Sequence, residues 1–143
     1  MNANPNLTYF LDTNILVYAY DRSAGQKHTI AAQFLEQCWL NQNGCVSIQI
    51  LQEFFVIVTR KIAIPLDTYI ARQIVADLAQ WQLHVPKASD LLQAIDFQQN
   101  YLLSFWDALV VQSAINLHCN QLISEDLNHG QFYGEVQVIN PFK

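Results

Sequence analysis

The chain has 143 residues, 52% hydrophobic and only 13% charged, with a formal net charge of −5 at pH 7. That length suits one domain, expected to span residues 1–143, that buries a core without disulfides or a structural metal. The longest apolar run, FFVIV at 54–58, is far short of the roughly 18 residues that span a membrane, so an integral helix is excluded.

In chain order, LTYFL (Leu7 to Leu11) reads as a short buried strand, and a helix follows from about Asn14. Residues 27–42 carry Ile30, Phe34, Leu35, Cys38 and Trp39 at three- and four-residue steps, the period of an amphipathic helix. CVSI (Cys45 to Ile48) is a β-branched strand after the turn Asn43-Gly44. Residues 49–62 return to helical period, with Ile50, Leu51, Phe54, Phe55 and Val58 on one face. Pro65 ends that helix, and Asp67 is placed to cap the next, 68–81. QLHV (Gln82 to Val85) is a weak strand stopped by Pro86, and Ser89 or Asp90 opens a helix to about Tyr101. Residues 104–118 are apolar nearly all round, which predicts a buried helix. QLIS (Gln121 to Ser124) and VQVI (Val136 to Ile139) are the last strands, separated by the turn-rich EDLNHG.

Strands alternating with helices predict an α/β fold with a parallel sheet covered on both faces. Sites in such sheets form at the carboxyl ends of the strands, and Asp12 lies there. As a structural residue Asp12 is an N-cap; as a functional one it is a buried acid in need of a partner. Glu53 falls on the polar arc of its helix beside Gln49 and Arg60, with Ile57 on the other flank, so it is an exposed helix acid or a site wall. Asp107 points with Val111 and Ala114, in an apolar direction. Ser104 to Asp107 also matches a capping box, in which the acid reaches back to the helix start. Asp126 follows a strand in a polar loop, as a turn aspartate or a ligand, with Glu125 as a rival acid.

Taken together the four acids say more. Asp12 and Asp126 follow strands, Asp107 opens a helix and Glu53 sits early in one, positions that converge at one sheet edge. Crowded carboxylates repel and raise one another's pKa unless a cation intervenes. Oxygen ligands without a matching His or Cys select a hard cation, Mg2+ or Mn2+. If these acids form one site, the other eight nearly balance the seven bases, so the acidic total does not exclude an RNA substrate. Cys38, Cys45 and Cys119 show no metal spacing and read as small buried hydrophobes suited to a reducing cytoplasm. The polar start MNANPN has neither the basic region nor the apolar stretch of a signal peptide. Phe54, Phe55, Tyr69, Trp81, Phe105 and Trp106 sit at core-like spacing and read as packing.

FLDTNILVYAYD, ILQEFFVIVTRK, LSFWDALVVQSA and LISEDLNHG, ending in VQVINPF, together resemble the PIN-domain ribonucleases, and among them the VapC-type toxins of toxin–antitoxin pairs. The likeness runs in order from Tyr9 to Phe142. It implies a three-layer α/β/α fold with a central parallel sheet of four to five strands. It further implies an Mg2+- or Mn2+-dependent endoribonuclease in which a metal-activated water cuts RNA, a homodimer, and a cognate antitoxin as inhibitor. By position, Asp12, Glu53 and Asp107 correspond to the family's three core acids and Asp126 to a fourth, more variable one. Asn14 and Ser124 would support them from behind, and His129 lies near Asp126 without a clear part.

Two other readings compete. A phosphohydrolase or receiver domain would use Asp12 as phosphoryl acceptor, but the place of a second acid two residues on is held by Asn14. A catalytically silent PIN-like module binding RNA or protein would gain nothing from an anionic pocket facing phosphates.

Overall fold

A computed structural model describes residues 2–143. Strand β1 (Tyr9–Leu11) is buried at every position and runs between β2 (Gly44–Ser47) and β4 (Gln121–Ile123), parallel to both. Burial of consecutive residues, whose side chains point to opposite faces, means that both faces of the strand are covered. β3 (Gln82–His84) extends the sheet beyond β2, β6 (Val136–Ile139) extends it beyond β4, and β5 (Phe132–Tyr133) closes the far edge. The sheet therefore has six strands in the order β3-β2-β1-β4-β6-β5, the last pair antiparallel.

The five strands expected from the sequence are present and mutually parallel; β5 is additional. Two residues are too few to show a period, so β5 leaves no pattern to read. Its one signal is the turn: Tyr133 pairs with Val136 across Gly134-Glu135, and Gly134 takes φ 59°. A two-residue hairpin loop wants that positive φ, and glycine supplies it without strain.

Among the described residues, six α-helices connect and cover the strands in a three-layer α/β/α arrangement: α1 (Thr13–Tyr20), α2 (Gln26–Asn41), α3 (Ile48–Arg60), α4 (Thr68–Leu78), α5 (Ala88–Tyr101) and α6 (Phe105–Asn116). Side-chain caps start most of them. Ser47 accepts from the Ile50 N–H to open α3, Asp67 from Tyr69 to open α4, and Ser104 from Asp107 to open α6. α5 begins at Ala88, one residue before the expected Ser89, and the Asp90 carboxylate reaches back to the Lys87 N–H.

α6 is buried through Ala108, Val110, Val111, Gln112, Ser113 and Ala114, as its composition predicts, but its first turn turns Trp106 outward. A polar clamp fixes α6 against its neighbours. Buried His84 on β3 contacts Ser113 Oγ at 2.6 Å and Asp90 Oδ2 at 3.1 Å, and Gln112 Nε2 donates to Asp90 Oδ1 at 3.0 Å. Buried polar groups must find partners, and here they find one another across three elements.

The aromatic residues do not all pack. Phe54 is buried and Phe55, Trp81 and Phe105 are half-buried, but Tyr69 is 82% exposed and Trp106 63%. Both face solvent from the first turn of a helix, where no neighbouring element covers them. All three cysteines are buried and free of disulfides.

Trp81 lies over Gly44 at the start of β2, its ring 5.0 Å from that of Trp39. A Cβ at Gly44 would overlap three carbons of the Trp81 ring. Gly44→Ala is therefore expected to cost about 1–3 kcal/mol, the usual range for overpacking. Chemical denaturation should show that cost largely vanish in a Trp81→Ala background. An equal cost in both backgrounds would mean that the ring is not what excludes the methyl group.

Candidate active site

β1 ends at Leu11, and Asp12 turns the chain into α1. Its carboxylate does two local jobs. Oδ1 accepts from the Thr13 N–H at 2.7 Å, capping the helix, and Oδ2 accepts from Ser124 Oγ at 2.7 Å, across the junction of β1 with β4. The side chain is nevertheless almost wholly buried, at 6% exposure. Burial pushes its pKa up from 3.8 to about 6; the two hydrogen bonds pull it down, and the charges of Asp126 and Asp107 push it further up. Desolvation plus repulsion outweighs two good hydrogen bonds.

The other three acids face the same cleft, a cavity of about 300 Å3 whose wall includes Asp12, Glu53, Asp107 and Asp126. Glu53 comes from α3, where Oε1 accepts from Thr13 Oγ1 at 3.0 Å. Asp107 comes from the first turn of α6. Ser104 Oγ accepts its N–H at 3.1 Å, but only that half of the expected capping box is made, which leaves the carboxylate turned to the cleft. Burial raises the Asp107 pKa above the ordinary value and the charge of Asp126 adds to it, against a lowering by the Ser104 hydroxyl. Asp126, exposed on the loop after β4, accepts from Asn14 Nδ2 at 2.8 Å, and its N–H donates to Ser124 Oγ at 3.2 Å. Ser124 thus holds the Asp12 carboxylate and the Asp126 backbone with one hydroxyl.

Among the described residues, no lysine, arginine or histidine lines the cleft. Every charged donor in it is a carboxylate, and buried Asn14 Oδ1 is a further oxygen with no hydrogen-bond partner. That donor set fits a hard divalent cation, which takes oxygen ligands and would relieve the repulsion. The ligand group is not preassembled: among the described residues, no three His, Cys, Asp or Glu side chains are already gathered tightly enough to hold one ion. Thr13 holds Glu53 and Asn14 holds Asp126 through those hydrogen bonds, and carboxylates crowded into one cleft repel one another.

The rival acid, Glu125, does not line the cleft. It binds Lys27 Nζ at 2.7 Å and accepts from Tyr18 Oη at 2.5 Å. Burial pushes its pKa up, but those two partners outweigh it and hold it below the usual range. His129 is also outside the cleft, its Nδ1 accepting the Asn140 N–H at 3.0 Å. Of the polar arc expected on α3, Gln49 lines the cleft with Glu53 and Ile57, while Arg60 does not. Thr13 and Tyr18 belong to the wall as well, which sequence reasoning passed over, and so does Trp106, which it read as packing. Only Thr13 carried a signal, its place next to Asp12.

A family model described as the PIN domain matches residues 9–134. No curated protein matches the chain. Among solved structures, a toxin–antitoxin complex from Klebsiella pneumoniae is similar at 22% identity and a TM-score of 0.67, over 94% of this chain and 98% of that one. The sarcin–ricin-loop-cleaving toxin VapC20 of Mycobacterium tuberculosis is similar at 15% identity and a TM-score of 0.60, over 80% of this chain and 87% of that one. At such identities the likeness is one of fold.

The raised pKa of Asp12 has a consequence for stability. Between 3.8 and about 6 the folded protein holds a proton that the unfolded chain releases, so stability falls as pH rises through that window. Asp12→Asn, measured with EDTA, should therefore unfold at higher temperature than the parent near pH 7.5, by at most about 3 kcal/mol of stability. That advantage should shrink towards pH 4. A gain independent of pH, or no gain, would contradict a strained carboxylate.

Proposed function

This chain belongs to the PIN domain family, and we propose that it is a divalent-metal-dependent endoribonuclease, the VapC-type toxin of a toxin–antitoxin pair. The observation that carries the reading is the cleft itself: four carboxylates, one of them buried and pushed to a pKa of about 6, with no cationic side chain among them. A cleft built only to bind RNA or protein would not concentrate uncompensated negative charge where a phosphate must enter.

Asp12, Glu53, Asp107 and Asp126 would hold Mg2+ or Mn2+, with Asn14 offering a further oxygen. When bound, such an ion supplies Lewis acidity to water and to the phosphoryl oxygens of an in-line displacement. The chain's own residues do the positioning. Ser124 and the Thr13 N–H fix both oxygens of Asp12, Thr13 Oγ1 aims Glu53, and Asn14 aims Asp126. Val17, Ile57 and Val110 give the cleft an apolar wall, which lowers the local dielectric and strengthens each charge interaction inside.

The similar Klebsiella structure is a toxin–antitoxin complex, which supports an antitoxin partner here. A homodimer is consistent with apolar side chains left at the surface, among them Leu102 at 90% and Ile64 at 76% exposure. One domain and a cytoplasmic setting, consistent with the three buried thiols, complete the reading. Among the described residues no helix is long and apolar enough to cross a membrane.

The deciding experiment is cleavage of a mixed structured RNA by purified protein, with Mg2+ or Mn2+ against EDTA. Asp12→Asn and Asp107→Asn, prepared alongside, should each lose a hundred- to thousandfold or more, as expected when about 3–4 kcal/mol of transition-state stabilisation goes. Mn2+ should also raise the melting temperature of the parent more than that of either variant. Folded protein that neither cuts RNA nor responds to Mn2+ would establish the binding module.

A further inference from the structure

An acidic cleft must still hold a polyanion, and the residues for that lie along one ridge. Gln49, Glu53, Ile57 and Lys61 follow at four-residue steps, so they line up along α3 over about 18 Å. At one end Gln49 Nε2 donates to the Trp106 carbonyl at 3.3 Å. At the other, Lys61 borders a second groove of about 340 Å3 that shares Glu53 and Ile57 with the acid cleft. Lys61 is exposed and forms no ion pair among the described residues.

Trp106 stands at the lip of the cleft with 63% of its surface exposed. Phe105 props it edge-on, with centroids 5.2 Å apart and planes at 74°. Leaving a large aromatic surface in water beside four carboxylates is costly unless something covers it. An unpaired nucleobase suits it, because a base stacks on an indole face whatever its identity. Duplex RNA keeps its bases stacked inside the helix and offers none.

We propose that Trp106 is a stacking platform for an unpaired base next to the scissile phosphate, and that Lys61 takes a flanking phosphate of the same single strand. This rests on the nuclease reading and assigns two of this chain's own residues to holding the strand. The cleft that holds Trp106 and the acids adjoins the groove of Lys61 through Glu53 and Ile57, which suits a strand that presents base, scissile phosphate and next phosphate. A basic protein segment drawn to the acids would meet Lys61 with like charge.

Binding separates this inference from catalysis. Fluorescence anisotropy of a short 5′-labelled single-stranded RNA is followed with Mg2+ in the Asp107→Asn background, which is expected to leave the strand intact. Trp106→Ala should weaken binding about tenfold or more, Trp106→Phe should restore most of it, and a duplex of the same sequence should be indifferent to both. Lys61→Ala should lower the slope of log K against log salt by about 0.7, which Trp106→Ala should not do. Unchanged single-strand affinity in Trp106→Ala, or no binding by the parent, overturns the inference. So does an altered oligomeric state or antitoxin affinity with RNA affinity intact, which would make Trp106 a protein contact. Metal-dependent cutting by the wild type stands or falls separately.

Discussion

A carboxylate buried at the end of the central strand organises this end of the molecule. Asp12 stops β1, caps α1 and binds Ser124 beyond β4, so its two oxygens join a strand end, a helix start and a neighbouring strand. The residues that hold it also hold the other acids. Thr13, whose N–H donates to the Asp12 carboxylate, presents its hydroxyl to Glu53, and Ser124 accepts from the Asp126 N–H. Moving Asp12 would disturb the rest of the set through those contacts.

The fold makes the crowding possible and partly offsets it. β1 lies between β2 and β4 because parallel neighbours need crossover helices, and the crossovers deliver α1, α3 and α6 to the same edge. Asp12 sits at the start of α1 and Asp107 in the first turn of α6, where the positive end of a helix dipole favours negative charge. That help is insufficient for Asp12: burial and its acidic neighbours still raise it to about 6. The residual repulsion is what a divalent cation would relieve, and it gives the site an electrostatic reason to bind one.

Much of this is legible in the sequence because it is periodic. The five parallel strands and six helices follow from apolar spacing, from Pro65 and Pro86, and from caps such as Asp67 and Ser104. Each acid by itself reads equally well as a cap, a turn residue or an exposed helix acid. Only the topology, which places β4 beside β1 rather than beside its sequence neighbours, brings Asp12 and Asp126 together. The support residues are hidden for the same reason, since Thr13 and Glu53 meet across 40 positions and Asn14 and Asp126 across 112. Trp106 shows the opposite error. Helical spacing places an aromatic on a face, and whether another element covers that face is a tertiary fact.

A divalent cation that relieved the strained charge on Asp12 would shift the titration of that carboxyl. The most direct test is the 13C shift of the Asp12 carboxyl followed against pH, in EDTA and then in Mg2+. A midpoint near 6 is expected without metal, with a clear downward displacement when Mg2+ is added. An ordinary carboxylate midpoint that ignores Mg2+ would contradict it.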